Sequence, residues 1–429
     1  MKRAAFYTLG CKVNQYETEA MTELFKNAGY EICPYEEFAD VYIINTCSVT
    51  GMSDRKSRQI IRRAKKQNPD SIVAVCGCYA QTAADEVLSI EGVNVVIGTQ
   101  DRKNIVEIVE AQTATSSYNG VRDILRCHEF EDLSVTRYSD RTRAFIKIQD
   151  GCSQFCSYCI IPYARGPVRS RAEADIIAEI ETLAENGFKE IILTGIHVAS
   201  YGADTDTNLE RLLAKIDEIN GIERVRMSSI EPMAIDSTFI DAVSRSKKLC
   251  RHFHLSLQSG CDETLKRMNR KYTAAEFSEI VNGIRSRFPD AAITTDIMVG
   301  FPGETDEEFQ KSLAFAEQIE FADAHIFQYS KRRGTPAARR TDQIDPQIKE
   351  QRSKLMIATT AKSREKFLSA AVGKTTPVLF ERGDNGIYEG KTSNYITVFV
   401  PSETDISGEI RPVRLTMSDG EHLKGELVD

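Results

Sequence analysis

Nowhere in the 429 residues is there a run of about 20 apolar side chains, the length a helix needs to cross a bilayer. The opening Met1-Lys2-Arg3-Ala4-Ala5-Phe6 also lacks the sustained apolar stretch of a signal peptide. The two absences predict a cytoplasmic protein with no membrane partner. There is no surplus of positive charge either. The 55 Lys and Arg face 63 Asp and Glu, a net charge of -8, which argues mildly against nucleic acid as a partner of the whole surface. Hydrophobic residues at 41% and charged residues at 28% lie near the globular norm, which excludes collagen-like and wholly disordered classes. Nor is there an even set of cysteines. In a reducing compartment the eleven that are present read as metal ligands, nucleophiles and core residues, not as a disulfide framework.

At roughly 100 to 200 residues per domain the length predicts two to four domains. From Ala4 to about Ser139, short apolar runs at Ala5–Leu9, Val41–Asn45, Ile72–Cys76 and Val93–Ile97 alternate with helical patterns over Glu17–Ala28, Ser53–Gln67 and Arg102–Ala111. This order predicts an amino-terminal parallel α/β domain, residues 1–139, and the Gln112–Arg141 stretch at its end reads as a linker with some local structure. A second alternation has strands expected at Arg143–Gln149, Glu190–Thr194, Arg224–Ser228, His252–Leu257, Ala292–Val299 and Ala324–Tyr329. Helical stretches separate them, which predicts a partial (βα)6 barrel over 140–369 with its chemistry at the carboxyl ends of the strands. A long helix from about Pro346 to Ala371 leads out of it. Short strand-like runs divided by Gly, Asp, Asn and Ser then predict a small antiparallel β-barrel over 370–429.

Directly after the first strand of the second alternation stand Cys152, Cys156 and Cys159, a C-x3-C-x2-C set within eight residues. Three thiolates on a loop at a strand's carboxyl end suit one soft-metal site. A closed structural zinc site takes four ligands and no fourth Cys or His lies nearby. Three ligands on a four-iron cluster leave one iron open, the requirement for a cluster that binds substrate. This loop resembles that of the radical S-adenosylmethionine enzymes, in which the open iron chelates S-adenosylmethionine and electron transfer from the cluster cleaves it to a 5'-deoxyadenosyl radical. The resemblance implies that Cys152, Cys156 and Cys159 hold a 4Fe-4S cluster. It also implies that Gly195 receives the methionine amino group and that Val299 and Phe301, in Val299-Gly300-Phe301-Pro302-Gly303-Glu304, lie where adenine is packed. For the glycines an ordinary strand-to-helix turn accounts for the residues nearly as well.

Cys11, Cys47 and Cys78 each follow an apolar strand of the first domain at its carboxyl end, where ligand sites of open α/β sheets gather. On the residues alone, three converging ligands and three unrelated buried thiols stand at even odds. These segments resemble the amino-terminal domain of the methylthiotransferases, which implies that the three cysteines bind an auxiliary 4Fe-4S cluster. The resemblance continues through Leu255–Gly260, whose Gln258 is counted with the S-adenosylmethionine contacts, through Leu265–Thr273 and Tyr329–Thr335, and into a terminal barrel like the RNA-binding TRAM module. It covers nearly the whole chain. The forms Leu9–Gln15, Asn45–Thr50 and Cys159–Gly166 look most like the branch that methylthiolates N6-threonylcarbamoyladenosine beside the anticodon of tRNA.

Carbon 2 of adenine is not acidic and bears no leaving group, so side-chain bases have little to act on. The resemblance implies a radical route carried by two 4Fe-4S clusters and S-adenosylmethionine, served by a reducing electron donor and a sulfur donor. The partner it implies is the anticodon stem-loop of tRNA. Positive charge is gathered locally despite the acidic total. Arg55 to Lys66 contains seven basic residues, Arg62 and Arg63 among them, and no acid. Lys331, Arg332, Arg333, Arg339 and Arg340 form a second group, and Lys266, Arg267, Arg270 and Lys271 a third. The terminal segment is acidic, with six basic and ten acidic residues from Ala370. The threonyl carboxylate of the implied substrate suits an Arg fork, and Arg332 or Arg333 is expected to read it. Methylthiolation of isopentenyl-adenosine or of a ribosomal-protein aspartate would use the same domains. A non-catalytic iron-sulfur RNA-binding or redox-sensing protein is the alternative of another class.

Overall fold

The computed structural model describes residues 1–138 and 141–428; the expected boundary between 139 and 140 lies outside the described residues. The first region runs β1 (Arg3–Thr8), α1 (Lys12–Asn27), β2 (Glu31–Cys33), β3 (Val41–Thr46), α2 (Gly51–Gln67), β4 (Ile72–Gly77), α3 (Cys78–Thr82), α4 (Ala84–Leu88), β5 (Val95–Val96), α5 (Ile105–Glu110) and β6 (Tyr118–Asn119). Its six strands form one parallel sheet in the order β2-β1-β3-β4-β5-β6. Every residue of β3 is buried, because helices cover both faces and no position can be polar without a partner. Met21 and Phe25 of α1 pack on one face with Ala4 and Ile43, and Ile60, Ile61 and Ala64 of α2 on the other. The edge strands β2 and β6 are too short to show a period in sequence. Within the linker, β6 joins the sheet and Ile124–Arg126 forms a 3-10 turn.

The second region runs β7 (Arg143–Lys147), β8 (Gln149–Asp150), α6 (Ile161–Arg165), β9 (Arg169–Ser170), α7 (Glu173–Glu185), β10 (Glu190–Thr194), α8 (Leu209–Ile216), β11 (Arg224–Met227) and α9 (Ser237–Val243). It continues through β12 (His252–Gln258), α10 (Asp262–Arg267), α11 (Ala274–Arg287), β13 (Ala292–Val299), α12 (Asp306–Ile319) and β14 (Asp323–Gln328) to the long α13 (Pro346–Ser369). Six parallel strands stand in two groups of three, β11-β10-β7 and β12-β13-β14. Between the groups only isolated bridges, Val225 with Leu249 and Ile230 with Leu255, continue the wall. The antiparallel pair of β8 and β9 clips together the two ends of the loop that carries Cys152, Cys156 and Cys159. Tyr16 and Ala20 of α1 belong to the core of this barrel, so one helix serves both regions.

The chain ends in β15 (Thr375–Asp384), β16 (Ile387–Thr392), β17 (Thr397–Pro401), β18 (Ile410–Ser418) and β19 (Leu423–Leu427), a closed barrel in the order β15-β16-β17-β19-β18. Its pairs are antiparallel except β17 with β19, which run parallel and complete the closure. The barrel is pinned to the second region. Arg224 donates to the carbonyls of Lys391 at 2.9 Å and Pro377 at 2.8 Å, and Arg226 to those of Ser393 at 3.0 Å and Thr392 at 3.2 Å. The ring of Tyr395 stacks on His252 at 4.7 Å, with the Arg226 guanidinium 4.6 Å from its centre.

Candidate functional site

Because β1, β3 and β4 are neighbours in the sheet, the residues that follow them emerge side by side. Cys11 caps α1 just after β1, Cys47 follows β3, and Cys78 opens α3 after β4. Cys11 is exposed while Cys47 and Cys78 are buried. The backbone is shaped for this convergence at two glycines. Gly10 has φ +105°, and a Cβ there would lie 2.7 Å from Cβ and 2.9 Å from Sγ of Cys47. Gly77 has φ +93°, and a Cβ there would lie 2.5 Å from both Asn45 Oδ1 and the Thr46 carbonyl oxygen. The turn at Gly77 also separates Cys76 from Cys78. Strand alternation alone would aim both to one side, but Cys76 points into the core against Met21, and the turn swings Cys78 toward Cys47 and Cys11. Asn14 sews the strand ends together, donating to the carbonyls of Leu9 at 2.7 Å and Thr46 at 3.0 Å.

Cys152, Cys156 and Cys159 lie on the loop between β8 and α6. The segment after α10 grips this loop: Ser157 N–H donates to the Met268 carbonyl at 2.9 Å, Ser157 Oγ to that of Arg267 at 2.8 Å, and Asn269 Nδ2 to that of Phe155 at 3.0 Å. Arg270 donates to Cys156 Sγ at 3.4 Å and pairs with Glu231 at 2.6 Å. The expected third basic patch is therefore split: Lys266 and Lys271 are exposed, while the two arginines are engaged internally. Arg270 has a side chain only 5% exposed, and Arg267 is paired with Glu308. Near Arg270 stands His197, buried, with no partner on its Nε2.

Burial pushes the thiols of Cys78 and Cys159 up to about 12 and that of Cys152 to about 11, and it raises Cys47 as well. Within each set the neighbouring cysteines raise one another further. Such groups become thiolates when a cation takes the place of the proton. Among the described residues no three His, Cys, Asp or Glu side chains are arranged to hold a single metal ion. Cluster ligands are arranged otherwise, since each thiolate binds a different iron of the cluster. Two sets of three thiols, each touched by an Arg donor, fit two such clusters.

The remaining expected residues fall around this centre. Gly195 follows β10, and a Cβ there would lie 2.9 Å from Gln149 Oε1, the atom that also accepts from the His197 N–H at 2.8 Å. Gln258 ends β12 with φ +64°, where the pairing with β13 shifts register. Val299 and Phe301 are buried, with Phe301 edge-on to Tyr158 at 6.4 Å and to Tyr329 at 5.5 Å. Arg62 and Arg63 lie on the exposed face of α2, where Arg63 approaches Glu36 at 3.7 Å. Arg332 is buried and turned to the first region, pairing with Asp54 at 2.6 Å and Ser48 at 2.8 Å. Arg333 is exposed, with no ion pair among the described residues. A cleft of about 730 Å³ between β7 and the terminal barrel is lined by none of the six cysteines.

The link between the two cysteine sets was not read from sequence. Arg165, six residues past Cys159, donates its Nε–H to Cys78 Sγ at 3.4 Å. It belongs to a buried network in which Glu17 of α1 meets Arg102, Arg165 (2.5 Å) and Lys147 (2.7 Å), and Asp150 meets Lys147 (2.7 Å), Arg165 (3.3 Å) and Arg169 (3.6 Å). In sequence, Arg165 lies in Cys159–Gly166 and Asn14, which it also bonds, in Leu9–Gln15, two segments that carry the family resemblance.

The chain is similar to known proteins. Residues 146–316 match the radical SAM superfamily and residues 3–98 match an uncharacterized protein family, UPF0004. The threonylcarbamoyladenosine tRNA methylthiotransferase MtaB of Bacillus subtilis is 43% identical over 436 residues, covering 100% of this chain and 97% of the relative. The tRNA-2-methylthio-N(6)-dimethylallyladenosine synthase of Pelotomaculum thermopropionicum is 36% identical, covering 100% and 98%. In fold, the chain is similar to the radical S-adenosylmethionine methyltransferase TsrM of Kitasatospora setae, with a TM-score of 0.59 and 17% identity over 79% of this chain and 77% of that one. Full-length identity at this level, with two cysteine sets on an α/β sheet and a partial barrel, means that the chain belongs to the radical S-adenosylmethionine methylthiotransferase family.

Proposed function

We propose that this chain methylthiolates carbon 2 of N6-threonylcarbamoyladenosine next to the anticodon of tRNA. Residues 1–139 would carry an auxiliary 4Fe-4S cluster on Cys11, Cys47 and Cys78. Residues 140–369 would carry the S-adenosylmethionine-binding 4Fe-4S cluster on Cys152, Cys156 and Cys159, and residues 370–429 would contact RNA. When bound, the clusters and S-adenosylmethionine supply the radical and the methylthio group that side chains lack; an electron donor and a sulfur donor sustain turnover. The two-cluster part of the reading is carried by the direct bridge from α6, just past the loop of one cysteine set, to a member of the other through Arg165, and its substrate is supported by 43% identity over the whole chain to a relative named for threonylcarbamoyladenosine tRNA. Gly195, Gln258, Val299 and Phe301 surround the barrel end where S-adenosylmethionine would lie. No helix of the described residues is long and apolar enough to cross a membrane, and we place the protein in the cytoplasm with its tRNA.

The chain's own side chains divide the recognition. On α2, Arg55, Lys56, Arg62 and Lys66 are exposed and have no ion pair among the described residues, a face suited to phosphates despite the acidic total. Arg332 is committed to Asp54 and Ser48, so its role is to dock the loop after β14 onto the Cys47 segment. Its neighbour Arg333 is left to read the threonyl carboxylate. A charge-assisted bond of this kind contributes about 1.5 to 3 kcal/mol, roughly a 10- to 100-fold effect. Arg333→Met is expected to lower kcat/KM by that factor on threonylcarbamoylated tRNA and to leave an isopentenylated tRNA unaffected. A variant that still selects the threonylcarbamoylated form as strongly as the parent would refute this role. The function itself is tested by mass analysis of tRNA nucleosides from cells with and without the chain. Loss of 2-methylthio-N6-threonylcarbamoyladenosine alone is expected, and loss of the methylthio-isopentenyl nucleoside instead would move the chain to the other branch.

A further inference from the structure

We propose that Arg165 is a positioning residue for the auxiliary cluster, donating a fixed N–H to the sulfur of Cys78 and placing a compensating positive charge beside it. The inference rests on the reading of Cys78 as a cluster ligand and adds a second-domain residue to a site otherwise built from the first. Arg165 has no exposed surface, and each guanidinium nitrogen is engaged. Nη1 meets Glu17 at 2.5 Å and Asp150 at 3.3 Å, and Nη2 meets Asn14 Oδ1 at 2.6 Å and Glu17 at 3.0 Å. The two-pronged grip of Glu17 fixes the plane of the group, and only one direction remains for Nε, toward Cys78 at 3.4 Å. A tie between domains would not need this contact, because the carboxylates would bind a lysine as well.

Charge gives a second, independent reason. The connected buried network contains three carboxylates, Glu17, Glu131 and Asp150, against four cations, Arg102, Lys147, Arg165 and Arg169. One positive charge is left over in a region closed to water, and burying it requires an anion. A thiolate-ligated cluster at Cys78 is such an anion. Because Arg165 sits on the segment that begins at Cys152, packing of the S-adenosylmethionine loop sets the surroundings of the other cluster. A donor and a positive charge at a cluster sulfur stabilise the reduced, more negative state and raise the reduction potential.

Arg270 touches Cys156 in the same manner, so the test must isolate the auxiliary cluster. The probe is the full-length chain with Cys152, Cys156 and Cys159 replaced by alanine, grown with 15N-labelled arginine and reduced, and read by pulsed electron-nuclear double resonance. An arginine 15N coupling, with an exchangeable proton coupling that disappears in D2O, is expected. In the same background Arg165→Lys should lose the 15N coupling, retain about four irons and show a midpoint potential shifted to more negative values. A reduced auxiliary cluster without arginine coupling overturns the proposal, and this measurement needs no change at Arg165. Adding Cys78→Ala separates the two layers. If the cluster persists unchanged, the ligand reading fails, whereas iron loss there combined with no arginine coupling in the parent sinks the Arg165 role alone.

Discussion

Replacing Cys11 with alanine is expected to halve the iron held per chain, from about eight to about four, and to abolish methylthiolation while cleavage of S-adenosylmethionine to 5'-deoxyadenosine survives. Cys152→Ala should do the converse, ending cleavage while about four irons stay on the first region. The asymmetry follows from where the two sets sit. Cys11, Cys47 and Cys78 depend on the carboxyl ends of three adjacent strands of one sheet. The other three depend on a loop gripped by the segment after α10. On the proposed assignment neither set lends a ligand to the other, so loss of one is expected to leave the other assembled. Cys11 is the informative position because it is exposed, and its replacement creates no cavity in a core. An iron count unchanged from the parent would remove Cys11 from the ligand set.

Glu17→Gln should be the most damaging single change outside the cysteines. Burial pushes the Glu17 carboxyl up, but Arg102, Arg165 and Lys147 together outweigh it and hold it at about 2. Asp150 is likewise held well below the usual carboxylate range, its burial outweighed by Lys147, Arg165 and Arg169. A neutral amide at Glu17 leaves three buried cations short of a partner, a loss of about 3 to 5 kcal/mol for a broken buried pair. The pH dependence has a definite sign. Both carboxylates are depressed in the folded state, so their contribution is complete above their unfolded values, near pH 4 to 4.5, and is lost as pH falls toward 2. Urea unfolding of the parent at pH 7 and at about pH 3 should show stability draining away on the acid side. In Glu17→Gln the dependence should be weaker and the midpoint lower at both values. An equal pH slope in the two proteins would contradict this account of the network.

Much of the architecture could be read from sequence because it rests on continuous apolar runs. β3, β4, β10 and β13 are buried on both faces or nearly so, and their residues announce it. The edge strands β2 and β6 were not legible, since two or three residues carry no period. The six cysteines stand out in sequence by spacing and by the motifs around them, and the structure brings members of each set near one another. The residues that organise them were not. Glu17, Asp150, Arg165 and Arg270 look like surface charges in a linear reading, and only their pairing across distant segments reveals them as internal. The same blindness explains the basic clusters: a count of Lys and Arg could not tell the free face of α2 from Arg267 and Arg332, whose charges are already matched.

Helix α1 gives Tyr16 and Ala20 to the barrel and Met21 and Phe25 to the first sheet. A fragment ending before the partial barrel would therefore keep its sheet but leave Tyr16 and Ala20 facing water, and a partial barrel made alone would lose the α1 side chains that pack on its core. That helix is satisfied on both sides only once much of the chain beyond α1 has left the ribosome, and the two regions are expected to melt as one cooperative unit.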